Sequence, residues 1–319
     1  MGMNIKKILD NFKSSGFVNI GPVLSSKEIL ELSKLSKKAF EHARDKSQGR
    51  INYRNYLAKD SGVEGLMYLP QHDVIIAQLI DKTLRSKSVS SVLKNVLGHS
   101  YKIWQITLRR SSPNDRGLYI HQDSPGETNI CILLSSNKTG SGATVFLEGS
   151  HLVKNTMKKW KIELPPILLR WLSFLFTPIT GDAGDVVFFF NRTWHGRKRN
   201  KSLHSYDAIF ISFFPAGGIF GFEGYGFWAP KFLKSIKGTL LGRLIDPLIG
   251  TEILTDGQYK VINQKINPPT VLPYALKIHN KDYFEDSYGT KIKLTVKITL
   301  LRLLFFFVRP FYYLIKNRR

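Results

Sequence analysis

Apolar and polar positions along the first hundred residues predict a helix, a short strand and two or three further helices. From Ile5 to about Lys46 the order reads helix, strand, helix. The segment Asn11-Phe-Lys-Ser-Ser-Gly-Phe-Val-Asn-Ile closes a helix at Gly16 and then alternates, as a half-buried strand does. Ser25-Ser-Lys-Glu-Ile opens the next helix with serine caps and an acidic first turn. Residues 47–72 read as loop, and Ile75 to Leu97 as one or two helices stopping at Gly98. From Tyr101 the period shortens. Tyr101–Arg109, Thr128–Leu134, Ala143–Leu147, Asp185–Phe190 and Tyr206–Phe214 are short β-rich runs, parted by turn signals such as Pro113-Asn-Asp and Thr139-Gly-Ser-Gly. Several short strands so spaced predict a sandwich or barrel, the double-sheet jelly roll included. The fold class expected is mixed α/β (α+β).

Charge narrows the partners. Lys and Arg number 47 against 24 Asp and Glu, a net charge of +23, which calls for an anionic partner. The single cysteine, Cys131, excludes an internal disulfide framework and any multi-cysteine zinc site. No secretory signal is evident, so a reducing cytoplasm is the expected compartment. Basic residues are interleaved with aliphatic ones, without a nucleic-acid recognition motif, and nucleic acid is not expected as partner.

The chemistry gathers at His121-Gln-Asp123. Residues i and i+2 of a strand share a face, so one imidazole and one carboxylate converge. A third donor, His195, follows the strand-like Gly184-Asp-Val-Val-Phe-Phe-Phe and a turn. Two histidines and one carboxylate, with coordination positions left open, form the facial triad of non-haem Fe(II) oxygenases. The segments Gly142-Ala-Thr-Val-Phe-Leu-Glu-Gly-Ser-His151, Gly184–Gly196 and Asn200-Lys-Ser202 flank this triad. Together with the Ser15-Gly-Phe-Val-Asn-Ile opening, they resemble the phytanoyl-CoA dioxygenase family over roughly residues 5–215. The resemblance implies a double-stranded β-helix with His121, Asp123 and His195 on iron. It also implies 2-oxoglutarate as co-substrate, decarboxylated as a C–H bond is hydroxylated.

One position departs from that family. Eleven residues after the distal histidine, where the family places an arginine on the far carboxylate of 2-oxoglutarate, this chain has Tyr206. A phenol donates a hydrogen bond but cannot neutralise a carboxylate as a guanidinium does. Arg197 and then Arg110 are the candidate substitutes. His151 is expected to close a turn, Cys131 to lie in a core strand, His72-Asp73 to start a helix, and His42, His99 and His279 to lie at the surface. His204 stands near the co-substrate side.

The expected organisation is a helical support region over 1–100, the β-helix core over 101–216, a Gly- and aromatic-rich covering extension over 217–290 and a basic, apolar tail over 291–319. In the tail, Lys291, Arg302, Arg309 and Lys316 fall along one helical stripe among Leu, Phe, Ile and Tyr. That pattern predicts an amphipathic helix lying on an anionic membrane surface, since a spanning helix needs about 20 apolar residues with few charges. The apolar segments Leu164–Phe176 and Phe220–Trp228, with Trp160 and Trp171, are read as part of the same lipid-facing side. The function expected is a cytoplasmic, peripheral membrane hydroxylase acting on an amphiphilic, anionic glycolipid or lipid-linked substrate. The alternatives are a non-catalytic binding member that has lost 2-oxoglutarate use, favoured by Tyr206, and a soluble small-molecule hydroxylase with a packed tail.

Overall fold

The structure is a computed structural model, and it describes residues 4–47, 57–60, 63–99, 101–115, 117–122, 127–137, 142–152, 173–215, 223–225, 228, 230–245, 251–254, 258–261 and 300. Four helices come first: α1 (Ile5–Ser15), α2 (Ser26–Ser47), α3 (Val74–Arg85) and α4 (Lys87–Leu97). Their ends are chemically marked. Asn4 accepts from the Lys6 N–H at 2.9 Å, and the chain leaves α1 through Gly16 at φ +86°, whose N–H reaches the Phe12 carbonyl. Ser25 and Glu28 form a reciprocal capping box at α2. Asp73 and Ser86 cap α3 and α4.

Three strands belong to this first part of the chain: β1 (Phe17–Pro22), β2 (Leu57–Asp60) and β3 (Val63–Met67). The expected loop over 47–72 therefore contains a hairpin, β2–β3, which extends a sheet. Then follow β4 (Tyr101–Ser111), β5 (Leu118–His121), β6 (Thr128–Leu133), β7 (Thr144–Phe146), β8 (Thr177–Pro178), β9 (Asp185–Phe190), β10 (His195–Arg197) and β11 (Tyr206–Pro215). A seven-stranded sheet runs β1-β9-β6-β11-β4-β3-β2, and a smaller one β5-β10-β7-β8. Every pairing is antiparallel. The two sheets face each other, as in a cupin-like jelly roll.

Each face of the large sheet is buried, against different partners. Ile106, Leu108, Ile130, Ile132, Phe188 and Ile209 pack outward into one core with the helices. Phe12 of α1 stacks on Phe190 at 4.2 Å and also touches Phe188. Cys131, Leu133, Val187, Phe189 and Ala208 face inward, toward Phe146 of the small sheet. Full burial of one such side chain contributes roughly 1.5–3 kcal/mol.

The later chain adds β12 (Glu223–Tyr225), β13 (Thr251–Leu254) and β14 (Gln258–Val261), a small sheet of its own, and the short helices α5 (Pro230–Ser235) and α6 (Leu240–Leu244). The α6 end covers the helical side: the Leu241 N–H donates to Asp81 of α3 at 2.6 Å, and Lys102 of β4 donates to the Arg243 carbonyl at 2.7 Å. This corrects one expectation. Trp228 is 7% exposed, edge-on to Tyr68 and stacked with Phe232, so it is a core residue and faces no lipid. Trp160, Trp171, most of the two apolar segments, His279 and the tail 291–319 apart from the exposed Leu300 lie outside the described residues. No helix among the described residues is long and apolar enough to cross a membrane.

Candidate active site

His121 ends β5 and His195 begins β10, and the two are direct cross-strand partners. Side chains directly opposite in an antiparallel pair are the closest neighbours a sheet offers. Their ring centroids lie 4.5 Å apart, inclined by 49°. The sequence reading placed His121 and His195 in one ligand set by motif and put only His121 and Asp123 together by spacing; strand register sets the two histidines side by side. Asp123 lies outside the described residues, and among the described residues no cluster of three or more His, Cys, Asp or Glu side chains forms.

His195 is 6% exposed, and its orientation is set by the turn that precedes it. Its Nδ1 lies 2.8 Å from the Thr193 carbonyl. A carbonyl only accepts, so Nδ1 carries the proton and Nε2 the lone pair a metal would take. The turn is held from three directions. The Thr193 hydroxyl donates to the Gly16 carbonyl at 3.1 Å, the Trp194 N–H to Ser150 Oγ at 2.8 Å, and the Leu147 N–H to the Trp194 carbonyl at 2.9 Å. Gln122, between the paired donors of the His-x-Asp segment, donates to the Arg192 carbonyl and ties that segment to the same turn. Thr193 and Gln122 were not singled out from sequence; only their places beside the two motifs mark them.

The rings of Phe189 and Phe146 lie 5.4 and 5.8 Å from that of His195, giving the site an apolar wall. Two opposed imidazoles in such surroundings are donors that suit Fe(II).

Two residues further along β10, Arg197 points to the same side as His195. It is 8% exposed. Its Nη1 pairs with Asp115 at 2.7 Å and also donates to Ser111 Oγ. Its Nε and Nη2 are buried with no hydrogen-bond partner among the described residues. Gly142, at φ +79°, allows the chain to close over this group; a Cβ there would come within 3.0 Å of Arg197 Nη1 and Ser111 Oγ. Ser111 is the register partner of Tyr206, whose buried phenol oxygen shares the inner face with Ala208 and Phe210. Arg197 and Tyr206 therefore approach one region from facing sheets. Asn200 fastens the loop after β10, its side-chain N–H groups reaching the Ser111 and His204 carbonyls.

Arg110 is placed elsewhere. It lies opposite Asp207 on the outer face, gripped by both Asp207 oxygens at 2.8 and 2.7 Å and by Glu41 at 2.6 Å, over the ring of Phe40. Burial alone would lower its pKa, but these two carboxylates outweigh it and hold the guanidinium above its ordinary value. The candidate assignment of Arg110 to 2-oxoglutarate is corrected accordingly: alternation along β4 turns it away from the site. His204 is exposed and contributes its carbonyl, His42 and His99 are exposed, and Asp73 caps α3 as expected.

Residues 12–206 match the phytanoyl-CoA dioxygenase family. The chain belongs to that family. Membership makes it a dioxygenase enzyme that uses Fe(II) and takes 2-oxoglutarate as co-substrate. A dioxygenase from Aspergillus fumigatus, af480, is 23% identical over 257 residues, 76% of each chain. Among solved structures, AviO1 from Streptomyces viridochromogenes aligns with TM-score 0.53 at 19% identity, over 69% of this chain and 98% of that one. EctD from S. alaskensis, solved with 2-oxoglutarate and 5-hydroxyectoine, also gives 0.53, at 16% identity over 70% and 80%. At these identities the structural likenesses establish the fold alone.

Proposed function

We propose that this phytanoyl-CoA dioxygenase family member hydroxylates an amphiphilic, anionic substrate, glycolipid or lipid-linked in type, while peripheral on an anionic membrane surface of the cytoplasm. The observation that carries the reaction class is the cross-strand pair His121–His195, with the protonated Nδ1 of His195 fixed on Thr193. With Asp123 completing the set, iron would couple the conversion of 2-oxoglutarate and O₂ to succinate and CO₂ with insertion of one oxygen atom into a C–H bond. The chain's own groups do the positioning. Thr193 and Gln122 hold both histidine segments on one turn. Phe146 and Phe189 wall the His195 imidazole off from water. The open Nε and Nη2 of Arg197, with the Tyr206 phenol, supply N–H and O–H donors for a carboxylate.

The substrate class is supported by the net charge of +23 and by the basic stripe of residues 291–319. The test is succinate release by iron-loaded protein under O₂, with anionic glycolipid-containing vesicles, neutral vesicles or no lipid. Stimulation by the anionic vesicles alone is expected. Equal turnover without lipid would leave a soluble small-molecule hydroxylase, and iron retention without any succinate would leave a binding protein.

A further inference from the structure

Strand β4 presents Thr107, Arg109 and Ser111 to the space between the sheets, and Ile106, Leu108 and Arg110 to the helices. Register with β11 fixes this: Arg109 lies opposite Ala208, a member of the inner cluster, and Ser111 opposite Tyr206. Arg109 is thus a half-buried guanidinium inside the jelly roll. Its Cζ sits 4.7 Å from the centre of the Phe210 ring, and its charge is felt at Cys131, the register partner of Phe210 on β6. Phe210 in turn meets Phe189, the ring packed on His195. The guanidinium and the metal-side imidazole therefore border one interior wall, two rings apart.

What distinguishes Arg109 is its charge balance. Arg110 is matched by two carboxylates, and Arg197 is matched by the buried Asp115. The Arg197–Asp115 pair offers N–H groups to a ligand but no net charge. Arg109 makes no ion pair among the described residues. Stacking uses only the flat face of a guanidinium and leaves its in-plane N–H edge, which matches a carboxylate bidentately. A 2-oxo dicarboxylate that chelates the metal through one end brings a second, uncompensated carboxylate into this interior, where an unpaired anion is strongly unfavourable.

We infer that Arg109 is the counter-ion of the far carboxylate of 2-oxoglutarate, with Arg197 and Tyr206 donating hydrogen bonds to the same group. The assignment rests on the reading of His121, Asp123 and His195 as the iron site. It replaces the arginine missing at position 206 with one from the neighbouring strand, on the same face and one side-chain layer along.

The test is equilibrium binding, without turnover. Full-length chain loaded with Mn(II) under anaerobic conditions is titrated with 2-oxoglutarate and, separately, with pyruvate, which has the chelating 2-oxo acid but no far carboxylate. Arg109→Gln is expected to weaken 2-oxoglutarate roughly thirtyfold or more, the scale of one lost charge-assisted pair, and to leave pyruvate within about twofold. Adding Tyr206→Arg to that variant should restore 2-oxoglutarate affinity at least tenfold, as a roughly one-pair gain. An unchanged affinity for 2-oxoglutarate in Arg109→Gln overturns the inference. So does an equal loss for both acids, which would place Arg109 at the chelating end or in the fold. Failure of the parent protein to bind either acid once Mn(II) is bound overturns instead the co-substrate reading on which the inference stands.

Discussion

His151 and Cys131 lie on opposite faces of the large sheet, and burial holds both neutral. His151 stacks on Phe190 with Nε2 bonded to the Lys13 carbonyl. Burial, opposed by that hydrogen bond and assisted by the charge of Arg192, pushes its pKa down to about 4 from the usual 6.5. Between those values the unfolded chain binds a proton that the folded one refuses. The stability from a neutral His151 is thus complete above pH 6.5 and is lost as pH falls toward 4, by up to about 3 kcal/mol. Urea unfolding of the parent should show that loss between pH 7 and 4.5, and His151→Gln should flatten it. Cys131 is pushed up to about 12 by burial. No thiolate is then available at pH 8, and a disulfide reagent should label it only after unfolding. Both residues were legible in the sequence as structural, because each sits inside an apolar or Gly-Ser frame. Arg109 was not, although one observation would have found it. Gln105 and Thr107 share its parity on the strand, whereas Arg110 shares that of Ile106 and Leu108, and in this fold the apolar parity faces the helices.

At the scale of elements, the long strands and capped helices could be read because period and punctuation agree in them. The capping box of Ser25 and Glu28 and the stop at Gly16 behave in the structure as the sequence implies. Strands β5 and β10 carry the two histidines yet span only four and three residues, too short for alternation to declare itself. Their pairing comes from tertiary contacts. The junction of α1 with the turn before His195 is the most sensitive of these. A Cβ on Gly16 would lie 2.4 Å from Thr193 Oγ1 and 2.5 Å from His151 Nδ1, at a backbone φ that favours glycine. Gly16→Ala should lower stability by about 2–4 kcal/mol, from backbone strain and overpacking together. It should also reduce iron retention, measured as metal content after dialysis, because the turn that aims His195 must shift. The outer-face cluster behaves differently. Arg110→Met leaves Asp207 without its cation and Glu41 with Arg44 alone, so unfolding should become easier by about 3 kcal/mol, while 2-oxoglutarate affinity at a permissive temperature stays that of the parent.

For the molecule as a whole, the membrane attachment proposed above would draw on two contributions, an electrostatic one from the excess of basic residues and a hydrophobic one from the apolar positions of 291–319. Removing residues 291–319 should release the protein from anionic vesicles in a flotation assay. Raising salt with the tail intact should weaken attachment only in part, since ions screen charge but not hydrophobic burial. The same wide view bears on how the chain is made. Among the described residues strand β1 pairs with β9 alone, and the Thr193–Gly16 hydrogen bond closes across 177 residues. During vectorial synthesis the first strand emerges early and then waits, its edge unpaired, until well over half of the protein has left the ribosome. Unpaired edges of that kind invite association with other nascent chains. A ribosome-stalled fragment ending near residue 180 should therefore aggregate or recruit chaperones, whereas one stalled far enough beyond residue 215 for β9 to β11 to have cleared the exit tunnel should be protected, a contrast that limited proteolysis of the stalled chains would register.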